Sequence, residues 1–589
     1  MAGVRGLLSW GFQPLDFSGS NLAGAFPTYM GNNLIGVHQP LRFQIQWTGL
    51  HEDENASASN WDGNDGDLIK VVFQVMSAVD EGSGVTNWKT IATIKKTKDI
   101  ANRNYATGAS NVVQRFTIDV SQILADELSY SLCPIDKGTW ESNYYGGMNG
   151  GAVMQDNVLG NSGAAGSPVS WFNISKNGTY RNIKVRATFE VINGEGHVVP
   201  AATGAMDSNF ITVINSVSQF EQDETYLADY TMFNTASTKK FLTRNPYEGE
   251  DIKKPVGIDE EAEFLQFYIY SAHYTDISGA GDSSVGSIGF KVETFDASGA
   301  ENTFYMRDFE ANAETDASTG FGTLKIKAGQ YQMFIQNVSP YYIKNLATGS
   351  ATAAPATAYA PPDGSDSNFP YWKSYSGDTI TDDTIYYRVS LVKIGLESPY
   401  TIKKSSEYKY YVIDREDENI PYGFVRFHWL NSIGGIDSYT AKRDVSEGLT
   451  ISRDVVERKS VDRTWYQTDY GNNALRISDT MRGGDLYKGG REVSNVNAER
   501  NLSVYTEPLN TMTAKWLEEI MLSPNVWVEM DTPATATGKE REPYLRPSTK
   551  GYIPVIITNS DVETVNQEQG LVKFNIDYTL AHKVITQRT

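Results

Sequence analysis

Apolar and polar residues alternate along most of this chain, so its regular structure has to be largely strand. Side chains of a strand point to opposite faces in turn, and a half-buried strand writes that period of two into its sequence. Leu41, Phe43, Ile45 and Trp47 face one way, with Arg42, Gln44 and Gln46 between them. Val71, Phe73 and Val75 repeat the pattern, and Ile183, Val185, Ala187, Phe189 and Val191 extend it. Asn193-Gly194-Glu195-Gly196 then returns the chain into His197-Val198-Val199, a hairpin signal. Leu265, Phe267 and Ile269 alternate again, as do Ile288, Phe290 and Val292, and Tyr387, Val389 and Leu391. The cleanest case closes the chain, where Val572, Phe574, Ile576, Tyr578 and Leu580 oppose Lys573, Asn575, Asp577 and Thr579.

Helical spacing is confined to two places. Ser121–Leu128 reads as a short helix with Ser121 as N-cap. Met512, Trp516, Leu517, Ile520 and Met521 share one face of a helix over Thr513–Leu522, and Pro524 ends it. The fold class expected is therefore mainly β: a multi-domain, β-sandwich-like architecture with a C-terminal α+β domain carrying one substantial helix. A chain of 589 residues exceeds what one core supports. Composition shifts divide it into an extended N-terminal arm (1–36), a β-sandwich-like domain (37–222), a second such domain (223–418) and a C-terminal assembly domain (419–589). The Gly-rich stretch 144–167 reads as an insertion in the first sandwich, and the Ala/Thr/Pro-rich stretch 347–370 as one in the second.

Charge and motifs restrict the chemistry. Against 51 Lys+Arg stand 72 Asp+Glu, a net −21, which repels nucleic-acid backbones. No apolar run reaches the roughly 18 residues of a membrane span. Met1–Pro14 lacks the apolar stretch of a signal peptide, so export by one is not expected. On that expectation the Asn-x-Ser/Thr matches at Asn55, Asn173, Asn177, Asn337 and Asn501 are chance. A single cysteine, Cys133, forbids an intramolecular disulfide and reads as a small buried hydrophobe. GxSxG, HExxH, GxxxxGK[ST] and GxGxxG are all absent, and the six histidines are widely scattered. Asp62-Gly63-Asn64-Asp65-Gly66-Asp67 has the oxygen ligands of a calcium loop without EF-hand spacing; a solvated turn accounts for it, and calcium binding there stays open. Neither a catalytic residue nor a cofactor is expected.

One segment stands out by charge. Lys442, Arg443, Arg453, Arg458, Lys459 and Arg463 nearly balance Asp444, Glu447, Asp454, Glu457 and Asp462 within a strongly acidic chain. Arg443, Arg453, Arg458, Lys459 and Arg463 are the candidate interface residues, where complementary charges on repeated copies would set register. A solvated strand edge guarded by charge explains the same pattern.

The C-terminal third carries a series of landmarks. Phe427-His428-Trp429-Leu430-Asn431-Ser432-Ile433-Gly434-Gly435-Ile436-Asp437-Ser438-Tyr439 comes first. Trp516-Leu517-Glu518-Glu519-Ile520 with Ser523-Pro524 follows, then Tyr552-Ile553-Pro554-Val555-Ile556. Lys240–Pro246 and Asp119–Leu124 are further landmarks upstream. This order resembles tail and neck structural proteins of tailed bacteriophages, similar to those of phages infecting Bacteroidota-type hosts. The resemblance spans roughly residues 110–125, 240–270 and 420–589. It implies a non-enzymatic virion protein, a ring-forming tail or neck component assembled in the host cytoplasm. Such a protein packs with copies of itself and with adjacent tail or neck proteins, and engages neither membrane nor specific nucleic acid. The alternatives are a receptor- or glycan-binding β-sandwich protein, a fibre or an adhesin, for which exposed tyrosines and acidic loops speak, and a carbohydrate-active enzyme, which the many carboxylates permit and no motif selects.

Overall fold

The computed structural model describes residues 6–13, 34–50, 68–78, 88–97, 111–128, 135–136, 180–192, 198–200, 205–217, 226–232, 238–258, 263–270, 287–307, 314–315, 322–323, 331–344, 347–348, 357–360, 373–374, 377–394, 402–404, 406–415, 424–457, 465–467, 475–477, 491–531, 549–559 and 570–581. The chain is mainly β and builds several sheets, as the period-two pattern requires.

The first unit is two facing sheets. One runs Gly6–Phe12, Arg42–Leu50, Asn111–Asp119, all antiparallel. The other runs Leu34–Gly36, Ile211–Ile214, Tyr180–Ile192, Leu68–Ala78, Trp88–Thr97, with two short strands laid along Tyr180–Ile192. The inward residues read from the alternation meet in one core: Phe43, Ile45 and Phe116 from the first sheet, Phe73, Val185 and Val213 from the second. Both described parts of the segment 1–36 are built into these sheets, Gly6–Phe12 antiparallel to Arg42–Leu50 and Leu34–Gly36 parallel to Ile211–Ile214. The first helix is shorter than the spacing suggests, Ser121–Ala125, and Ser121 is not its cap. Asp119 does the capping work from outside: its Oδ1 accepts from the Ser121 N–H (3.0 Å) and also from Leu41 N–H (3.3 Å), so one carboxylate holds the turn and the neighbouring strand.

The middle unit is a second pair of sheets. Thr231–Met232, Phe264–Tyr270 and Tyr331–Asn337 form the smaller. The larger follows the order Lys254–Gly257, Lys409–Asp414, Thr384–Ile394, Ser287–Asp296, Glu301–Arg307, Thr357–Ala360, Ala347–Thr348. Phe267 of one sheet meets Phe290 of the other edge-on (5.8 Å), and Phe241, from the 238–250 segment, stacks on Phe290 (6.2 Å). Tyr387 donates to Val338 O across the same gap (2.7 Å). In the stretch 347–370 the described residues Ala347–Thr348 and Thr357–Ala360 pair with each other at the sheet's edge.

The third unit is one long sheet and a helix. Its order is Ile436–Ala441, Val425–Leu430, Val526–Asp531, Thr549–Ile557, Asn575–Leu580, Arg491–Tyr505, Arg443–Glu457. Chain-adjacent strands Ile436–Ala441 and Arg443–Glu457 stand at opposite edges of this order, joined by Lys442 alone. Two edges one residue apart can be neighbours only if the sheet rolls up on itself. The substantial helix runs Thr511–Leu522, close to the span read from spacing, with Asn510 as its N-cap (Oδ1 accepting from Thr513 N–H, 2.8 Å). Its Trp516, Leu517 and Ile520 fill the sheet's inner face with Phe427, Trp429, Ile576 and Tyr578.

Candidate functional site

The landmark Leu430-Asn431-Ser432-Ile433-Gly434-Gly435-Ile436 is the turn of the hairpin that pairs Val425–Leu430 with Ile436–Ala441, and all three units converge on it. From the first unit, Val217 N–H and Ser216 Oγ donate to Ser432 O (2.8 and 3.1 Å). From the middle unit, Leu242 O accepts from Asn431 Nδ2 (2.7 Å). From the helix, Glu519 Oε1 accepts from Ser432 Oγ (2.5 Å). Ile433 drops into a core shared by Leu34 and Ile214 of the first unit and Leu227, Leu242 and Tyr268 of the middle one.

The two glycines of the turn serve different ends. A Gly-Gly pair at a hairpin turn suits chain reversal at positive φ. Only Gly434 has it, at +90°. Gly435 is needed for approach: a Cβ there would lie 2.1 Å from Leu242 O. Asn431 Oδ1 completes the turn by accepting from Ile433 and Gly435 N–H (3.0 and 2.8 Å). Gln266, from the strand Phe264–Tyr270, then takes the place of a neighbouring strand: its Oε1 accepts from Ile436 N–H at 2.5 Å and its Nε2 donates to Ile436 O at 3.4 Å.

Behind the turn lies a buried ionic cluster that spans the middle and third units. Glu263 Oε1 takes the Lys254 ammonium at 2.5 Å, and Oε2 takes Arg426 NH2 at 2.7 Å and Ser438 Oγ at 2.7 Å. Arg426 NH1 also donates to Thr440 Oγ1 (2.6 Å). Burial alone would push Glu263 up, but the two cations outweigh it and hold its carboxyl below the usual range. Beside it Asp437 accepts from Trp516 Nε1 (2.8 Å), and burial raises its pKa despite that bond. Burial, with the nearby Asp437 adding, pushes Glu519 up to about 7. Lys254, Glu263, Arg426 and Asp437 are each at most 3% exposed, so the cluster offers a substrate no approach. Its chemistry is that of a fastener: charges that would be intolerable alone are satisfied only when the two units are seated together.

Sequence reading passed over Gln266 and Arg426. The visible signal was a lone polar residue inside an apolar run, as in Phe264-Leu265-Gln266-Phe267-Tyr268-Ile269 and Val425-Arg426-Phe427. In a half-exposed strand such a residue faces water; in a strand buried on both faces it must find a partner. Phe264–Ile269 is buried throughout.

Among the candidate interface residues, Arg443 and Arg453 lie on the strand Arg443–Glu457, and Arg458, Lys459 and Arg463 lie outside the described residues. That strand pairs with Arg491–Tyr505 over its length, from Arg443 opposite Tyr505 to Glu457 opposite Arg491. Near the root, Leu502 and Val504 pack into the third unit's core. Farther out both strands are exposed, a two-stranded ribbon running off the body. The Asp62–Asp67 cluster, Cys133 and the stretch 144–167 also fall outside the described residues. Among the described residues no three His, Cys, Asp or Glu side chains gather as a metal site, and no helix is long and apolar enough to cross a membrane.

No family model matches the chain, and no curated protein matches it.

Proposed function

We propose that this protein is a non-enzymatic structural component of a virion, a ring-forming tail or neck protein of a tailed phage. The observation that carries the reading is the pairing of a rigid three-way junction with a long, solvated ribbon rooted in the same sheet. On this reading the bonds at Asn431–Gly435 and Glu263 hold the units together and so would keep the ribbon at a fixed angle. A ribbon at fixed angle is what repeated assembly around an axis needs. The landmark residues of the resemblance, Asn431, Gly434, Gly435 and Trp516, are the ones that build the junction. On this reading the chain packs with copies of itself and with adjacent tail or neck proteins, takes no cofactor, and resides in the virion after assembly in the host cytoplasm.

Negative-stain microscopy and mass photometry of the purified full chain test it. Closed rings of uniform copy number are the expected result. A protein that stays monomeric over the micromolar range and binds host-surface polysaccharide would replace it with the receptor-binding alternative.

A further inference from the structure

The two faces of the ribbon differ. Register places Leu449 opposite Arg500, Ile451 opposite Ala498, Arg453 opposite Val496 and Val455 opposite Val493, all on one face. Between them, on the other face, are Gly448 opposite Asn501, Thr450 opposite Glu499, Ser452 opposite Asn497 and Asp454 opposite Asn495. One face is an aliphatic stripe with arginines and the other is polar, with Val456 the exception. The aliphatic face continues the side of Arg491–Tyr505 on which Leu502 and Val504 enter the core. Yet Leu449, Ile451, Val455, Val493 and Val496 are between 39% and 53% exposed. A stripe of this kind left in water is both an aggregation hazard and a binding surface.

Charge indicates what covers it. On the aliphatic face Arg500 pairs with Glu447 (2.6 Å) and Arg491 with Glu457 (3.2 Å), while Arg453 has no ion-pair partner among the described residues. Among the described residues the face therefore carries one positive charge more than negative, Arg453 at mid-length, on a chain of net charge −21. We infer that the aliphatic face of the ribbon seats on an acidic surface of a second copy of this chain, other than that copy's own ribbon. This rests on the assembly reading above and names its contact. Two ribbons packed face to face about a two-fold axis would bring Arg453 against its equivalent, because residue 453 lies near the middle of the 447–457 face. Like charges so placed disfavour that symmetric pairing. The contact inferred is head-to-tail, which closes into a ring when the rotation fits. Size agrees: about ten residue steps give a face roughly 33 Å long. One such seat falls short of the roughly 800 Å² per partner of a stable pair. Each copy in a ring both gives and receives a seat, so the contacts reinforce one another.

Neighbouring residues on opposite faces supply the test. Ile451→Asp puts a charge in the aliphatic stripe, and Ser452→Asp puts the same charge on the polar face. Both positions are exposed, so both variants fold, which circular dichroism verifies. Purified wild type is expected to assemble alone to more than two copies. Ser452→Asp should do the same, and Ile451→Asp should lower the assembled fraction at least tenfold at equal concentration. If wild type forms rings and Ile451→Asp forms them equally well, the ribbon contact is wrong and the ring reading stands. If wild type stops at a dimer, the head-to-tail contact is wrong. If wild type stays monomeric, both fall.

Discussion

The hairpin Val425–Ala441 and the ribbon Arg443–Tyr505 belong to one sheet and are separated by a single residue, Lys442, yet they solve opposite problems. At the hairpin charged groups are buried with partners inside the chain: Glu263 takes Lys254 and Arg426, and Asp437 accepts from Trp516. On the ribbon charges lie in water and aliphatic side chains go uncovered. Polar groups inside and apolar groups outside each invert the usual arrangement. The first inversion is complete within one chain, because the middle unit brings the partners. The second is complete only with something outside the chain. Self-sufficiency is thus what distinguishes the two regions, and substitutions can break each separately.

The largest expected effect is at Glu263. Glu263→Ala removes the carboxylate that takes both Lys254 and Arg426, and removing one partner of a buried pair costs about 3–5 kcal/mol. Urea unfolding should show that loss, with the middle and third units separating first. Glu263→Gln keeps the shape and one acceptor and should cost less. Equal stability of Glu263→Ala and wild type would mean that the cluster fastens nothing. Gly435→Ala comes next. Its Cβ has no room against Leu242 O, a backbone atom that cannot swing aside. The junction must open, at a cost of about 2–3 kcal/mol. Gly434→Ala should cost less, about 1 kcal/mol, the strain of holding alanine at φ +90°. The order of the two variants, read from Tm, separates close approach from turn geometry.

A third substitution should stabilise. Glu519 has a folded pKa of about 7, set by burial and Asp437, against an ordinary value near 4.5. Burial likewise raises Glu407 to about 7, with Lys409 opposing and Glu248 adding. An acid raised in the folded state binds its proton more tightly there than in the unfolded chain. Stability is therefore lost as pH rises from about 4.5 to about 7, and the full cost stands above 7. Glu293 runs the other way: burial would raise it, but hydrogen bonds from Arg388 and Lys291 hold it at about 2, so its contribution is lost as pH falls from about 4.5 to about 2. Tm should rise on going from pH 8 to pH 5.5. Glu519→Gln should gain roughly 1–3 kcal/mol at pH 8 and little at pH 5.5. A variant whose pH profile overlays wild type would show that the group is hydrated and unshifted.

How much of this was legible differs by region in the same way. The inward faces of the first unit could be read strand by strand, because each strand has one wet face: Phe43 and Ile45, Phe73 and Val75, Ile183 and Val185 are all buried as the alternation implies. The long helix was equally plain from Trp516, Leu517 and Ile520. The junction was not. Phe264–Ile269 and Val425–Leu430 are buried on both faces, so period two carries no instruction, and the partners of Gln266 and Arg426 lie about 170 residues away in the chain (Ile436 and Glu263, respectively). Gly435 could not be assigned to close approach without Leu242 beside it. The charge-mixed segment marked the ribbon, but its amphipathic character needed the register with Arg491–Tyr505, since Leu449, Ile451 and Val455 are only half of the stripe.

The smallest expected effect sharpens the comparison most. Ile451→Thr keeps a β-branched side chain and changes only its polarity, on a strand whose fold depends on pairing with Arg491–Tyr505 rather than on a core. Substitutions at exposed positions away from packed features stay within about 0.5 kcal/mol. Monomer stability, measured by urea unfolding at a concentration too low for assembly, should therefore not move outside that range. In the hairpin the same loss of apolar surface at Ile433, buried between two units, should cost several times more, about 2 kcal/mol for Ile433→Thr. A ribbon that loses as much as the junction would mean that the stripe is already covered within a single chain. In that case the exposed aliphatics are part of a core, and the need for an outside partner disappears. A ribbon indifferent to Ile451→Thr in the monomer but dependent on it in the assembled state places the stripe's function wholly between copies.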